Sequence, residues 1–286
     1  MASNLVQRIA VSAVLIPLAF IIILRGGWVL AGALALFGVL GASEVYDLAR
    51  RQGIEALTGV GYAAAAAIPL ATYWAKGSED HWAEPAIFAG ALWLLVVLTV
   101  AMVRRGPGGK PLTSVAVTVF GALYASALLS FIIPIRHPAN SLGLNWHYAW
   151  LVLLPLAVTW ICDTCAMAAG RIFGGPKLAP VLSPKKTWAG AIGGVVGGVA
   201  GSILIGLLIL ATVGWRLSVA ELALVGVVVS LTAQVGDVAE SLFKREAGVK
   251  DSSQLIPGHG GVLDRLDSLY FVVPVSAGLF RLMGLI

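Results

Sequence analysis

The chain has 286 residues, of which 59% are hydrophobic and only 12% charged, with a mean hydropathy of +0.92. A soluble domain carries roughly 25% charged residues, so this composition excludes a globular α/β enzyme of the same length and points to a bilayer. The net charge of +5 and isoelectric point near 9.4 reside in loops beside apolar runs, which fits anionic headgroups and phosphates, and no nucleic acid.

A helix needs about 20 apolar residues to cross the hydrocarbon. Apolar runs between charged punctuation predict nine such helices, at 9–24, 28–48, 58–75, 85–103, 112–135, 148–169, 188–212, 219–242 and 268–285. The expected fold is an all-α polytopic integral membrane protein of about nine transmembrane helices. Arg8 before the first run resembles a signal-peptide start, but no small-residue cleavage site follows, so the run is read as a span. Splitting one run to give ten helices has no support in the pattern. Fourteen of the nineteen Lys and Arg residues fall on the side of Arg8, Arg50 and Lys250, and five on the side of Arg25 and Arg281. The positive-inside rule then places the N-terminus in the cytosol and the C-terminus outside. Residues 1–147 hold spans one to five, and 148–286 a C-terminal catalytic region with spans six to nine.

In the sixth run, Asp163 and Thr164 interrupt apolar sequence, and Cys162 and Cys165 lie on one helical face where they read as inert packing residues. An ionisable residue inside a span is costly and is a functional candidate by default. Next come Gly170, Arg171, Phe173, Gly174 and Gly175, then Ser183, Pro184, Lys185, Lys186, Thr187 and Trp188. Ser followed by Pro is an N-cap signal, which predicts Lys185 and Lys186 in the first turn of a helix, where free amides and the dipole favour an anion. The seventh run carries glycines at 190, 193, 194, 197, 198, 201 and 206, a face suited to close helix packing.

At the end of the eighth run, Gln234, Asp237, Ser241 and Lys244 follow steps of three, four and three. On a helix they form one polar stripe, which must face protein or water. The loop after it, from Lys250 and Asp251 through Pro257, Gly258, His259, Gly260 and Gly261 to Asp264, Arg265 and Asp267, mixes phosphate-binding cations with carboxylates. Magnesium takes one or two carboxylates plus substrate phosphates, and Asp237 with Asp264 suit that role.

The run Ser241, Leu242, Phe243, Lys244, Arg245, then Lys250, Asp251, Ile256, Pro257, His259, Gly260, Gly261, Asp264, Arg265 and Asp267 resembles the signature of phosphatidate cytidylyltransferases, also called CDP-diacylglycerol synthases. The block from Asp163 to Trp188 is similar to a second motif of that family. Where the family commonly has Glu after this Trp, Ala189 stands here, and Met167 and Ala168 stand where an aromatic is common. These departures are expected to tune activity and not to abolish it.

The resemblance implies a CTP-dependent nucleotidyltransferase that forms CDP-diacylglycerol and pyrophosphate from CTP and phosphatidic acid. It implies Mg²⁺ on Asp237 and Asp264, with a second cation, K⁺ or another divalent ion, beside it. Lys244, Arg245, Lys250 and Arg265 would neutralise phosphate charge, and His259 would donate a proton or orient the loop. Asp163, Arg171, Ser183, Lys185, Lys186, Thr187, Ser241, Asp251, Gly260, Gly261 and Asp267 would bind substrate. A multi-pass protein of the cell's inner membrane is expected, its site facing the cytosol and the chain pairing as a homodimer. The competing readings are a CTP-dependent polyprenol kinase and an anion transporter.

Overall fold

The computed structural model describes residues 2–76, 83–138 and 145–286, with side chains from residue 11 onward in the first segment and from 84 in the second. The chain is mostly helical: α1 (Ala2–Arg25), α2 (Gly27–Arg51), α3 (Thr58–Trp74), α4 (Ala83–Arg104), α5 (Pro111–Ala122), α6 (Leu128–Ser130), α7 (Ile132–Arg136) and α8 (His147–Phe173) precede a hairpin. The hairpin strands are β1 (Lys177–Ala179) and β2 (Ser183–Thr187). Then follow α9 (Trp188–Ile205), α10 (Val219–Glu246), α11 (Leu263–Leu266) and α12 (Leu269–Leu282).

Among the described residues, six helical segments are long and apolar enough to cross a bilayer: Gly27–Arg51, Glu84–Arg104, Pro107–Arg136, His147–Phe173, Trp188–Val213 and Val219–Glu246. The expected count of nine is not reached by length, because α3 has 17 residues and α12 has 14. At 1.5 Å per residue these span roughly 26 and 21 Å, short of a hydrocarbon core of about 30 Å. The described apolar part of α1 is Val11–Arg25, and the side chain of Arg8 lies outside the described residues.

The glycine face of α9 is spent on packing. Gly193 abuts Ala169 of α8, Gly197 abuts Cys165, and Gly194 leaves room for a methyl only 3.1 Å from Cys162 Sγ. On the α10 side, a methyl on Gly226 would lie 2.5 Å from Val199 Cα and 3.0 Å from the Gly198 carbonyl oxygen. Backbone cannot rotate away as a side chain can, so Gly226→Ala is expected to push α9 and α10 apart. The cost is about 1–3 kcal/mol, read as a Tm lower by several degrees in detergent-solubilised protein. Because this face is filled within the chain, it carries no argument for a homodimer.

Two devices set helix ends. Ser218 and Glu221 form a reciprocal capping box at the start of α10, with Ser218 N donating to Glu221 Oε2 at 2.7 Å. Between α1 and α2, where Gly26 adopts a φ of 60°, the buried Arg136 donates to the carbonyls of Ile23, Leu24 and Asn145, each at 2.8 Å. Those contacts satisfy carbonyls exposed by the chain break and fix α1 against the bundle.

The fold is not purely α. The Ser183 to Thr187 stretch forms β2, paired antiparallel to β1 with Lys177 opposite Thr187 and Ala179 opposite Ser183. The predicted first turn at Lys185 and Lys186 is therefore replaced by extended backbone. Helix α9 starts at Trp188, capped by Thr187, whose Oγ1 accepts from Gly190 N at 3.1 Å. The competing signal was the turn chemistry upstream: Gly174 and Gly175, with φ of 61° and 91°, release the chain from α8. Trp188 N then closes the hairpin on Pro176 O at 3.1 Å.

Candidate active site

The polar stripe of α10 faces protein along its length. Gln234 donates to Ala191 O at 3.2 Å, Asp237 pairs with Lys186 of β2 at 2.6 Å, Ser241 is buried, and Lys244 is buried near the loop. A 28-residue helix carries these groups from the bundle core to its rim, and the 247–262 loop folds back over that rim.

Two buried carboxylates hold the loop. Asp264 Oδ1 accepts from Lys244 Nζ at 2.7 Å, while Oδ2 accepts from Ser252 N, Ser252 Oγ and Gly261 N at 2.9, 2.9 and 2.8 Å. Glu44, in the middle of α2 and 2% exposed, accepts from Ser252 Oγ, Ser253 Oγ, Val262 N and Leu263 N at 2.7, 2.7, 2.8 and 2.9 Å. Gly261 sits between the two carboxylates, where a methyl would collide with both Ser252 Oγ and the Glu44 carboxyl group. Gly258 and Gly260 turn the chain at φ of 75° and 82°, a region open to glycine.

Burial alone would raise the Asp264 carboxyl. The Lys244 ammonium and the amides of Gly261 and Ser252 outweigh it and hold Asp264 below the usual carboxylate range. Lys244 also pairs with the buried Glu240 at 3.0 Å. Asp264 is thus a loop anchor with four donors on its two oxygens. The two residues expected to share magnesium sit in different surroundings, Asp237 paired with Lys186 at 2.6 Å and Asp264 with Lys244 at 2.7 Å.

A different carboxylate group forms around Asp237. Asp163 of α8, Asp237 of α10 and Asp267 at the start of α12 lie within electrostatic reach of one another. Burial, then the charge of Asp237, pushes the Asp267 carboxyl up to about 6. Against these carboxylates stand Lys186, paired with Asp237, and Lys244, whose charge also reaches Asp267. Among the described residues, no three His, Cys, Asp or Glu side chains converge as a ready-made metal cage.

The other expected site residues divide by role. Arg171, Lys185, Lys250, Asp251 and Arg265 are exposed and make no ion pair among the described residues. Arg245 is turned to structure, donating to Val249 O at 2.7 Å and Leu182 O at 3.3 Å, which ties the hairpin to α10. His259 places Nε2 3.2 Å from Ser12 Oγ of α1 and Nδ1 3.4 Å from Pro257 O. That engagement of both ring nitrogens favours orientation of the loop over proton donation. Ser183 lies in β2 opposite Ala179, and Thr187 is the cap of α9. Sequence reasoning missed Glu44 and Glu240, although each is an acid inside an apolar run and so carried the signal that picked out Asp163.

These features define a helical membrane protein with carboxylates on α8 and α10, a buried Lys244 between Glu240 and Asp264, and exposed cations on the adjoining loops. The chain belongs to the cytidylyltransferase family, whose model matches residues 6–283. It is similar to the phosphatidate cytidylyltransferase of Synechocystis sp., at 30% identity over 94% of both chains. It is also 33% identical to phosphatidate cytidylyltransferase 5, chloroplastic, of Arabidopsis thaliana, over 92% of this chain and 68% of that one. The phosphatidate cytidylyltransferase of Brucella suis biovar 1 is 45% identical over 47% of each chain. The match thus spans about half the length of the Brucella relative.

Proposed function

We propose that the chain transfers the cytidylyl group of CTP to phosphatidic acid, forming CDP-diacylglycerol and pyrophosphate. The observation that carries this reading is the junction of the α10 stripe with the anchored loop. In this reading a polyphosphate from water meets a lipid headgroup beside Asp163, Asp237 and Asp267. A phosphate oxygen of phosphatidic acid attacks the α-phosphorus of CTP, a new P–O–P bond forms, and the bond to the β-phosphate breaks to release pyrophosphate. The attacking phosphate is already ionised, so the reaction needs no strong general base.

Asp237, with Asp163 and Asp267, would hold Mg²⁺, and K⁺ or another divalent ion is a candidate second cation. Bound there, the metal supplies charge neutralisation of the phosphates. Lys185, Lys250, Arg171 and Arg265 offer mobile cations for the triphosphate and the lipid phosphate. Lys244 holds Asp264 and Glu240 and shapes the loop from behind. An apolar groove of about 300 Å³ lined by Ala157, Trp160, Ile161, Thr164 and Cys165 lies along α8. It suits an acyl chain entering from the lipid.

The same reading includes nine crossings with α1 among them and α3 and α12 as short spans, a cytosolic N-terminus, an external C-terminus and a place in the cell's inner membrane. Single-cysteine variants in cysteine-free protein at position 51 and 250 are expected to label only from the cytosolic side, and at position 25 only from outside. Labelling from the same side at all three would overturn the orientation. The homodimer rests on resemblance alone and is tested by the mass of the protein in detergent.

The activity is tested with purified protein, phosphatidic acid, Mg²⁺ and CTP labelled at the α-phosphorus. Label entering lipid in step with pyrophosphate supports the proposal. Transfer of a γ-label to a polyprenol would make the protein a kinase, and ion flux with no covalent product would make it a transporter.

A further inference from the structure

A second polar hollow, of about 490 Å³, opens at the loop end of the N-terminal helices, lined chiefly by Arg50, Glu55, Leu57, Thr58, Arg104 and Arg105. No residue of the 247–267 segment and none of Asp163, Lys185 and Lys186 lines it. The ends of α2 and α4 and the start of α3 build it, so it belongs to helices that the candidate active site uses only through Glu44.

Its charges nearly cancel, and the remainder is informative. Arg50 pairs with Asp47 at 2.7 Å, on side chains that are half exposed or more. Arg105 Nη1 pairs with Glu55 Oε2 at 2.9 Å and Nη2 donates to Glu55 O at 3.2 Å, yet the Arg105 Nε–H is buried with no acceptor among the described residues. Arg104 is exposed and makes no ion pair among the described residues. Three guanidinium groups against two carboxylates leave one positive charge.

The start of α3 adds to it. Leu57 stands at the N-cap with no side chain capping the helix, and its own N–H is used by Thr118 Oγ1 at 2.8 Å. The first amides of α3, at the Thr58 wall of the hollow, are left without helical acceptors, and the dipole contributes about half a positive charge.

A surplus near one and a half charges, with a buried donor still open, matches one phosphodiester and falls short of a triphosphate. The surroundings select the source of that phosphate. Leu57 and Ala56 supply apolar walls, and next to the arginines Met102, Val103 and Leu112 are 76%, 76% and 82% exposed. Such side chains cover the acyl region of a lipid whose headgroup lies at the helix ends. We propose that this hollow is a second anion site that holds the phosphodiester headgroup of an anionic phospholipid, apart from the site of the reaction.

The test is native mass spectrometry of the full chain in neutral detergent, titrated with phosphatidylglycerol and, separately, phosphatidylcholine. One phosphatidylglycerol is expected to be retained, and each of Arg50→Gln and Arg104→Gln is expected to weaken its retention about fivefold. The opposite-end pair of single variants, Arg25→Gln and Arg281→Gln, each removing one charge, is expected to change nothing. Where Arg50→Gln loses its size-exclusion peak, Arg104→Gln alone serves, because Arg104 makes no ion pair among the described residues. Unchanged retention in the Arg104→Gln protein overturns the proposal, and so does an equal loss in the opposite-end pair. Displacement of the lipid by an equal concentration of glycerol 3-phosphate would assign the hollow to a soluble phosphate and overturn the lipid assignment. None of these readouts depends on turnover, so they stand or fall apart from the proposed reaction.

Discussion

Glu44→Ala is expected to lower cytidylyl transfer by at least about a hundredfold, the scale of a misplaced catalytic group, while the helices stay assembled. All four partners of Glu44 are donors on the loop, and two are the backbone amides of Val262 and Leu263. Ser252 would keep Asp264 as an acceptor, and Ser253, which is half-buried, can turn to water. The two amides have no such recourse, and each buried unsatisfied donor costs about 1–3 kcal/mol. The loop is therefore expected to detach and take Asp267 and the mobile cations out of register.

Glu44→Gln should not rescue, because its NH₂ must face one of the two backbone N–H groups. Glu44→Asp keeps both acceptor oxygens on a shorter stem and should fall between. The measurements are turnover, the Tm of the purified protein, and protease cutting within 247–262. Fast cutting of the loop with a Tm within a few degrees of wild type supports the assignment. Loss of activity only in proportion to unfolding would reduce Glu44 to a core residue.

Glu44 also shows where sequence reading stops. The helices were legible because hydropathy is local, and so was the α10 stripe, because steps of three and four fix a helical face wherever the helix goes. Asp163 stood out as an acid in an apolar run. Glu44 offered the same signal but lies 208 residues from its hydroxyl partner Ser252, and no spacing rule spans that distance. The contact also crosses the expected boundary at 147, so a division made on motif density separates groups that work together.

The hairpin was misread for a related reason. Ser183 and Pro184 are a fair local cap signal, but pairing with β1 and the tie from Arg245 to Leu182 O decide the backbone there. Asp264 and Asp267 are three residues apart in the loop, and only its folded path shows that Asp264 is held by Lys244 and two amides while Asp267 feels the charge of Asp237.

That distinction predicts opposite behaviour for two similar substitutions. Asp237→Asn removes a carboxylate from the group of Asp163, Asp237 and Asp267 and leaves Lys186 without its partner at the rim. The variant is expected to keep its fold, since Asp163 still offers its charge to the buried Lys186 Nζ. It should need at least about tenfold more Mg²⁺ for half-maximal turnover, as for loss of a charged metal contact. Asp264→Asn instead breaks a buried pair. Lys244 keeps Glu240 but loses the 2.7 Å contact, and one amide group cannot accept from Lys244, Ser252 and Gly261 together. Removing one partner of a buried ion pair costs about 3–5 kcal/mol, so Tm should fall steeply and turnover with it.

The Mg²⁺ concentration needed by whatever Asp264→Asn activity survives should match wild type, because no ligand has been lost. Titrating both variants with Mg²⁺ at fixed CTP, alongside their melting curves, separates the roles. A large Mg²⁺ shift in Asp264→Asn with an unchanged Tm would return Asp264 to the metal and leave the loop to Glu44. A normal Mg²⁺ requirement in Asp237→Asn would remove the cation from this carboxylate group and assign Asp237 to holding Lys186 toward phosphate.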